Sequence, residues 1–242
     1  MSRKTMAGWL SQMASALRPL WSLLGDLIRD SGIVHHDDTP VKMLNPGAGK
    51  TKETRFWVSL SGAGPPLMHV QFSLDRKQQT PIGFFTGYTG VVMCDEYAGY
   101  RNVDCGVMQS CWAHARRYVE KAKEVEPAFA VGVLLEIAVL YKIEKRIRGK
   151  SSSERQKVRE TESRRQVERI FERLESQEFR PQSLMRKASD YILKRKEHLL
   201  AYTRDERLPI DNNPVERALR RVALGRNYAE CSVMLSSDRI AA

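Results

Sequence analysis

Cysteine is scarce: four residues in 242, at positions 94, 105, 111 and 231, with no CxxC pair among them. This excludes a disulfide framework, which a chain of this length does not need to stay folded, and a reducing cytoplasm is the natural setting. No apolar run approaches the roughly 20 residues that cross a bilayer, and Gly8, Ser11 and Gln12 interrupt the N-terminus where a secretory signal would need a continuous apolar core. A soluble, unexported protein with no membrane partner is expected. Repeats and long low-complexity tracts are also missing, so arrays and wholly disordered chains are set aside. Acidic residues fall short of basic ones, 29 against 40, for a formal charge of +11. That balance favours a polyanionic partner through phosphate neutralisation and counterion release.

What is present is enough for a core: 42% of the residues are hydrophobic. The first thirty residues carry apolar side chains at helical spacing (Trp9, Met13, Leu17, then Leu20, Leu24, Leu27 and Ile28), and Pro19 suits a first helical turn, so two short helices are expected. Between Ile33 and Tyr100 the pattern turns to strands. Ile33-Val34 runs into His35-His36-Asp37-Asp38; Phe56, Val58 and Leu60 alternate with Trp57 and Ser59; Met68, Val70, Phe72 and Leu74 alternate with His69, Gln71 and Ser73. Turns at Asn45-Pro46-Gly47 and Gly62 to Pro66 make this a three-stranded meander with one wet face. Val91 to Cys94, apolar without alternation, reads as a strand buried on both faces and ends on Asp95. Met108 to Cys111 is a further strand candidate before a helix near His114. Helical periodicity then holds over Phe129–Arg148, Glu154–Gln177 and Ser183–Thr203, with a linker at Gly149 to Ser153 and a last helix near Pro214. The expected organisation is a helical segment (1–30), an α/β core (31–128), a helical insertion (129–208) and a C-terminal return to the core (209–242).

Phosphoryl transfer on nucleic acid needs hard divalent cations, in pairs about 4 Å apart, held by a few carboxylates. Asp37 follows one strand and Asp95 ends another; if those strands are neighbours, both carboxylates meet at one sheet edge, with Glu216 arriving from a helix. Plainer roles stand beside this one. A strand-end Asp is commonly a turn former or helix cap. Asn213-Pro214-Val215-Glu216 makes a good capping box with Asn213 as N-cap, and Glu216 could pair with Arg220. Spacing leaves these open.

The wording around those residues is more specific. His35-His36-Asp37-Asp38-Thr39-Pro40, Cys94-Asp95-Glu96-Tyr97-Ala98-Gly99-Tyr100, Cys111-Trp112-Ala113-His114-Ala115-Arg116-Arg117 and Ile210-Asp211-Asn212-Asn213-Pro214-Val215-Glu216-Arg217 occur in this order. Together they resemble the transposases of the insertion sequence 66 family, over essentially the whole chain. The resemblance implies an α/β, ribonuclease-H-like fold: a mixed five-stranded sheet with flanking helices and an α-helical insertion. It also implies a metal-dependent DNA transposase in which Asp37, Asp95 and Glu216 form the catalytic, metal-ligating set for two Mg²⁺ or Mn²⁺ ions. Transposon ends and target DNA are the implied partners, handled by a homo-oligomer in the bacterial cytoplasm at the nucleoid.

Several neighbours are candidates for DNA contact: His114, Arg116 and Arg117 at one helix start, and Arg217, Arg220, Arg221 and Arg226 around Glu216. Tyr97, Tyr100 and Trp112 could stack on an extruded base but read more simply as core. Cys105, Cys111 and His114 have the outline of a zinc set without a fourth ligand, and the Lys142–Lys150 basic run reads as a solvated helix end that could also track DNA. The chain begins almost at the catalytic region and leaves the family's wording after Gly225-Arg226, so a copy shortened at both ends is expected. That expectation carries two alternatives, a catalytically silent DNA-binding remnant and a nuclease without strand transfer.

Overall fold

The computed structural model describes residues 2–45 and 47–228. Its centre is a five-stranded mixed sheet of β1 (Ile33–Met43), β2 (Lys52–Ser61), β3 (Met68–Ser73), β4 (Val91–Cys94) and β5 (Val107–Ser110), in the order β3-β2-β1-β4-β5. The β1–β2 and β2–β3 pairs are antiparallel hairpin neighbours; β1–β4 and β4–β5 are parallel. The apolar run Val91 to Cys94 is buried on both faces, as its lack of alternation requires. Gly106 lets β5 start tight against β4: a Cβ there would lie 2.1 Å from the Thr89 carbonyl oxygen.

Helices cover both faces of the sheet. On one side α1 (Arg3–Asp30) and α2 (Gln79–Phe85) bury Ile28, Val34, Trp57, Phe84, Phe85, Val92 and Tyr100. On the other, α9 (Asn213–Tyr228) lays Val215 and Leu219 over Val58. The expected wet face of the meander is therefore covered. Trp57 and Val58, neighbours on opposite faces of β2, are both fully buried, and in β3 it is His69 rather than Met68 that turns inward. The cause is α1: Trp21 packs against the His69 ring and its indole N–H donates to the Val70 carbonyl at 2.9 Å.

The N-terminal segment is one helix of 28 residues, not two. Pro19 lies inside it, leaving the Ser15 carbonyl without its helical donor, but that turn is exposed and water can take the bond. The α1 residues Met6, Leu10, Met13, Leu17 and Leu20 are exposed.

The remaining helices share a core with the sheet's Ile33 and Val91: α3 (Trp112–Ala122), α4 (Pro127–Ile147), α5 (Ser152–Val158), α6 (Arg164–Glu175), α7 (Leu184–Leu193) and α8 (Lys196–Leu200). The α4 residues Ala130, Val133, Ile137, Leu140 and Ile143 recur at three- and four-residue steps, which puts them all on the buried side. The Gly149 to Ser153 linker ends in a capping box between Ser151 and Glu154. The expected single helix over Ser183–Thr203 breaks at Lys194-Arg195, where the Arg195 guanidinium reaches the Tyr191 and Glu96 carbonyls instead. No helix among the described residues is long and apolar enough to cross a membrane.

A π-helical turn, Arg159–Ser163, joins α5 to α6 and turns Arg159 into the helical core. This side chain is 4% exposed; it pairs with Glu144 at 2.6 and 2.9 Å and donates to the carbonyls of Tyr202, Asp205 and Leu208 at 3.2, 3.1 and 2.9 Å. Removing one partner of such a pair strands the other charge. Arg159→Ala should therefore lose about 3–5 kcal/mol in a denaturant titration, and a loss under about 1 kcal/mol would show that the network is not buried as described.

Candidate active site

The site is assembled where β1, β4, α3 and α9 meet. Along β1 successive side chains alternate. His36 enters the aromatic cluster of Trp57, Phe84, Phe85 and Tyr100, with its Nδ1 2.7 Å from the Tyr100 hydroxyl. Burial pushes its pKa down to about 3, so it is a neutral core group. His35 takes the other face and donates from Nδ1 to Asn212 Oδ1 at 2.7 Å. His35 is in register with Met93 on parallel β4; Asp37 lies two residues further along β1, and Asp95 follows the last residue of β4.

The two adjacent acids of β1 have opposite environments. Asp38 is neutralised: Arg55 and Arg76 reach its buried carboxylate at 3.2 and 2.8 Å. Asp37 is 9% exposed and has no Lys or Arg pairing with it among the described residues. Its pKa is pushed up to about 7, first by burial and then by the negative charge of Asp95, with smaller contributions from Asp38 and Glu216, while the Asp38 backbone N–H at 2.8 Å works against the rise.

Asp95 is fixed by its surroundings. Its carboxylate accepts from the Tyr97 N–H at 3.1 Å and from Arg76 at 3.4 Å, and its carbonyl from the Tyr191 hydroxyl at 3.3 Å. The next residue, Glu96, is held at φ 52°, a left-handed conformation that is costly for a side chain of this kind. Its carbonyl accepts from Arg195 at 3.1 Å and its carboxylate from His198 at 2.8 Å, so α7 and α8 clamp the turn that aims Asp95.

Glu216 reaches the site through Asn212, which is wholly buried. Besides His35, Asn212 binds the His36 carbonyl through its amide at 3.2 Å and Cys111 Sγ through its backbone N–H at 3.1 Å, and its carbonyl takes the Glu216 N–H at 3.3 Å. The helix starts there, and the capping box centred on Asn213 is not formed: Asn213 turns its N–H and amide to Asp211, at 3.1 and 2.7 Å. Nor does Glu216 pair with Arg220. Its carboxylate is taken by Arg117, at 2.6 and 3.3 Å, with His114 Nδ1 at 3.7 Å. The His114 pKa is lowered, by burial first and then by Arg117, against the pull of Glu216 and Asp95.

The structure thus brings Asp37 and Asp95 together, while the Glu216 side chain is turned toward α3. Among the described residues, the ligand-type side chains whose donor atoms all fall within 4.8 Å of one another are Cys111, His114 and Glu216. Cys105 does not join them. Of the expected DNA contacts, Arg117 and His114 meet Glu216, and Arg116 lies on the exposed flank of α3 near Glu120. Arg217, Arg220 and Arg221 are exposed on the side of α9 away from Val215 and Leu219. The side chain of Arg226 lies outside the described residues. Tyr100 and Trp112 are core, whereas Tyr97 lies under the Arg76 guanidinium, 3.9 Å from ring centre to carbon. Beside Glu216 a cleft of about 600 Å³ is lined by Arg116 and Arg117 from α3 and by Lys142 and Lys145 from α4. Arg146 and Lys150, further along the same run, are paired to Glu162 and Glu154.

The chain is a mixed α/β protein in which Asp37 lies inside the long strand β1 rather than after a strand as expected, Asp95 follows the end of parallel β4, and Glu216 is carried by α9. The family can be given: residues 1–237 match the model of the transposase IS66 family, and the chain belongs to it. Relatives from Sinorhizobium fredii (strain NBRC 101917 / NGR234) include uncharacterized protein y4jD, 30% identical over 93% of this chain and 48% of its own length. Uncharacterized protein y4qI is 28% identical over 90% and 44%, and uncharacterized protein y4hP 27% over 100% and 49%. The chain therefore spans less than half the length of these relatives. No solved structure matches.

The raised Asp37 pKa has a measurable sign. The folded chain holds a proton there that the unfolded chain, titrating at 3.8, has released, so the stability this proton contributes is complete below about pH 4 and is lost as pH rises through about 7. In chelator-containing buffer Asp37→Asn should melt about 5–10 °C above the parent near pH 8 and lose that advantage near pH 4. A difference that does not change with pH would remove the charge-burial account.

Proposed function

We propose that this chain is the catalytic region of a DNA transposase, with Asp37, Asp95 and Glu216 holding two Mg²⁺ or Mn²⁺ ions for cleavage at transposon ends and strand transfer. The observation that carries the proposal is Asp37: a buried carboxyl with no Lys or Arg pairing with it among the described residues, close enough to Asp95, just past the end of parallel β4, to feel its negative charge. An all-oxygen donor set with surplus negative charge fits a hard divalent cation. A sheet whose central strand carries Asp37, whose parallel neighbour leads into Asp95 and whose capping helix carries Glu216 supports a ribonuclease-H-like fold, with 129–208 as its helical insertion.

When bound, the ions activate the attacking oxygen and stabilise the leaving one. The chain supplies placement. The Asn212 bonds and the clamped Glu96 turn hold the acids at one edge, and Arg116, Arg117, Lys142 and Lys145 offer phosphate contacts along the neighbouring cleft. A phosphate that takes Arg117 would free Glu216 to turn toward the aspartates. Work on two transposon ends calls for a homo-oligomer on the DNA.

Asp37→Asn and Asp95→Asn should each lower Mn²⁺-dependent nicking of supercoiled plasmid and joining of pre-cut ends at least about 100-fold, with unchanged circular dichroism. Activity retained in either variant refutes the assignment. Failure of the parent to bind Mn²⁺ in a calorimetric titration leaves the DNA-binding remnant as the reading. Nicking without joining leaves the nuclease.

The cationic cleft is tested separately. Replacing Lys142 and Lys145 together by Ala should reduce the slope of log affinity for duplex DNA against log salt by about 2. An unchanged slope would take the cleft out of the DNA path.

A further inference from the structure

Glu216 stands in two donor sets of different chemistry. In the proposed catalytic set its partners are carboxylates; as placed, toward α3, it faces a thiol and an imidazole. Cys111 immediately precedes α3 and His114 lies in its first turn, three residues on, so both project to one side of the helix start. The donor atoms of Cys111, His114 and Glu216 lie within 4.8 Å of one another, and His114 Nδ1 is already 3.7 Å from Glu216 Oε1. With metal–sulfur bonds near 2.3 Å and metal–nitrogen or metal–oxygen bonds near 2.1 Å, the edges of a tetrahedral site run to about 3.4–3.6 Å, so closure needs movements of about 1 Å. His114 Nδ1 is buried without a hydrogen-bond partner among the described residues, and a bound cation would take its lone pair. The Asn212 N–H already points at Cys111 Sγ, the kind of outer contact that steadies a ligating thiolate.

We propose that Cys111, His114 and Glu216 form a second metal site, for a borderline transition ion such as Zn²⁺, whose occupation withdraws Glu216 from the aspartates and so inhibits the reaction. The inference rests on the catalytic reading only for its inhibitory consequence; the site itself does not need it. A thiolate–imidazole–carboxylate set discriminates against Mg²⁺, which prefers oxygen, and three protein ligands leave a fourth position for water. Arg117 is the competitor, because its guanidinium holds both Glu216 oxygens and adds positive charge beside the incoming cation.

Co²⁺ titration of the full chain, read by absorption, reports thiolate ligation without DNA or turnover. The expected result is one equivalent of Co²⁺ with a near-ultraviolet sulfur-to-cobalt band and strong visible bands of tetrahedral type. Both sets should be erased by Zn²⁺ and not by Mg²⁺. The sulfur band should vanish in Cys111→Ser and weaken in His114→Ala, persist in the Asp37→Asn, Asp95→Asn double variant, and appear at about fivefold lower Co²⁺ in Arg117→Ala. Circular dichroism of both α3 variants guards against misfolding, and the Arg117 variant keeps every ligand. No sulfur band in the parent, a band that survives Cys111→Ser, or one lost with the aspartates overturns the site. Zn²⁺ should also suppress Mn²⁺-dependent nicking in the parent and spare it in Cys111→Ser; equal inhibition of both removes the inhibitory role. A parent that shows the cobalt bands and never nicks keeps the site and fails the catalytic reading instead.

Discussion

One buried amide organises the site. Asn212 has no exposed surface, and its bonds run to three different elements: to His35 and the His36 carbonyl on β1, to Cys111 ahead of α3, and to the Glu216 N–H inside α9. Each bond would be weak competition for water at the surface. In a dry position an unmet partner costs more than the bond gains, so the four are effectively obligatory together. Because Asn212 lies four residues before Glu216, fixing the first turn of α9 against β1 and α3 fixes which neighbours the Glu216 carboxylate can choose. The apolar contacts of Val215 and Leu219 with Val58 then hold the rest of the helix down.

The charges at this edge are distributed unevenly between two neighbouring acids. Asp38 lies against two arginines and is a buried ion-pair member. Asp37, one residue away, has burial and like charge as its principal influences. Evolution of a stable fold alone would favour a neutral residue there, since an unpaired buried carboxyl destabilises at neutral pH. Glu96 adds a second local cost, a left-handed backbone next to Asp95, sustained by Arg195 and His198 from the helical block. One unfavourable feature on Asp37 and another on Glu96, next to Asp95, are sustained by the surrounding structure.

Much of this was legible in the amino-acid order. A run such as Val91 to Cys94 has no polar member, so only a doubly buried strand accommodates it, and β4 with Asp95 at its end followed directly. The start of α9 was marked by Asn-Pro, and the resemblance picked out Asp37, Asp95 and Glu216 before their neighbours were known. The covered face of the meander was not legible, because Trp57 and Val58 are both large and apolar and alternation cannot say which side meets water. Arg76 carried no signal: its partners Asp38 and Asp95 lie 38 and 19 residues away, and only the closed sheet brings them together. Asn212 stood inside a quoted motif, but nothing in the wording shows that it binds Cys111, 101 residues earlier. Cys105 and Cys111, nine and three residues before His114, stood together in the outline of a zinc set; the structure brings only Cys111, beside the helix start, close to His114 and Glu216.

The position of Glu216 between a basic arm, a thiol–imidazole pair and two aspartates follows from a simple limit on helices. A residue one turn into α9 is anchored through its backbone N–H by Asn212, while its side chain keeps its rotamer freedom. Arg117 is half-exposed, and its guanidinium can also pair with a phosphate. On the proposed reading, Asp37 and Asp95 gain from Glu216 only when a cation offsets three converging negative charges. The side chain therefore need not be prepositioned among the aspartates for the acids to act as a set. What must be rigid is the helix start that carries it, and that is where the fold spends its buried hydrogen bonds.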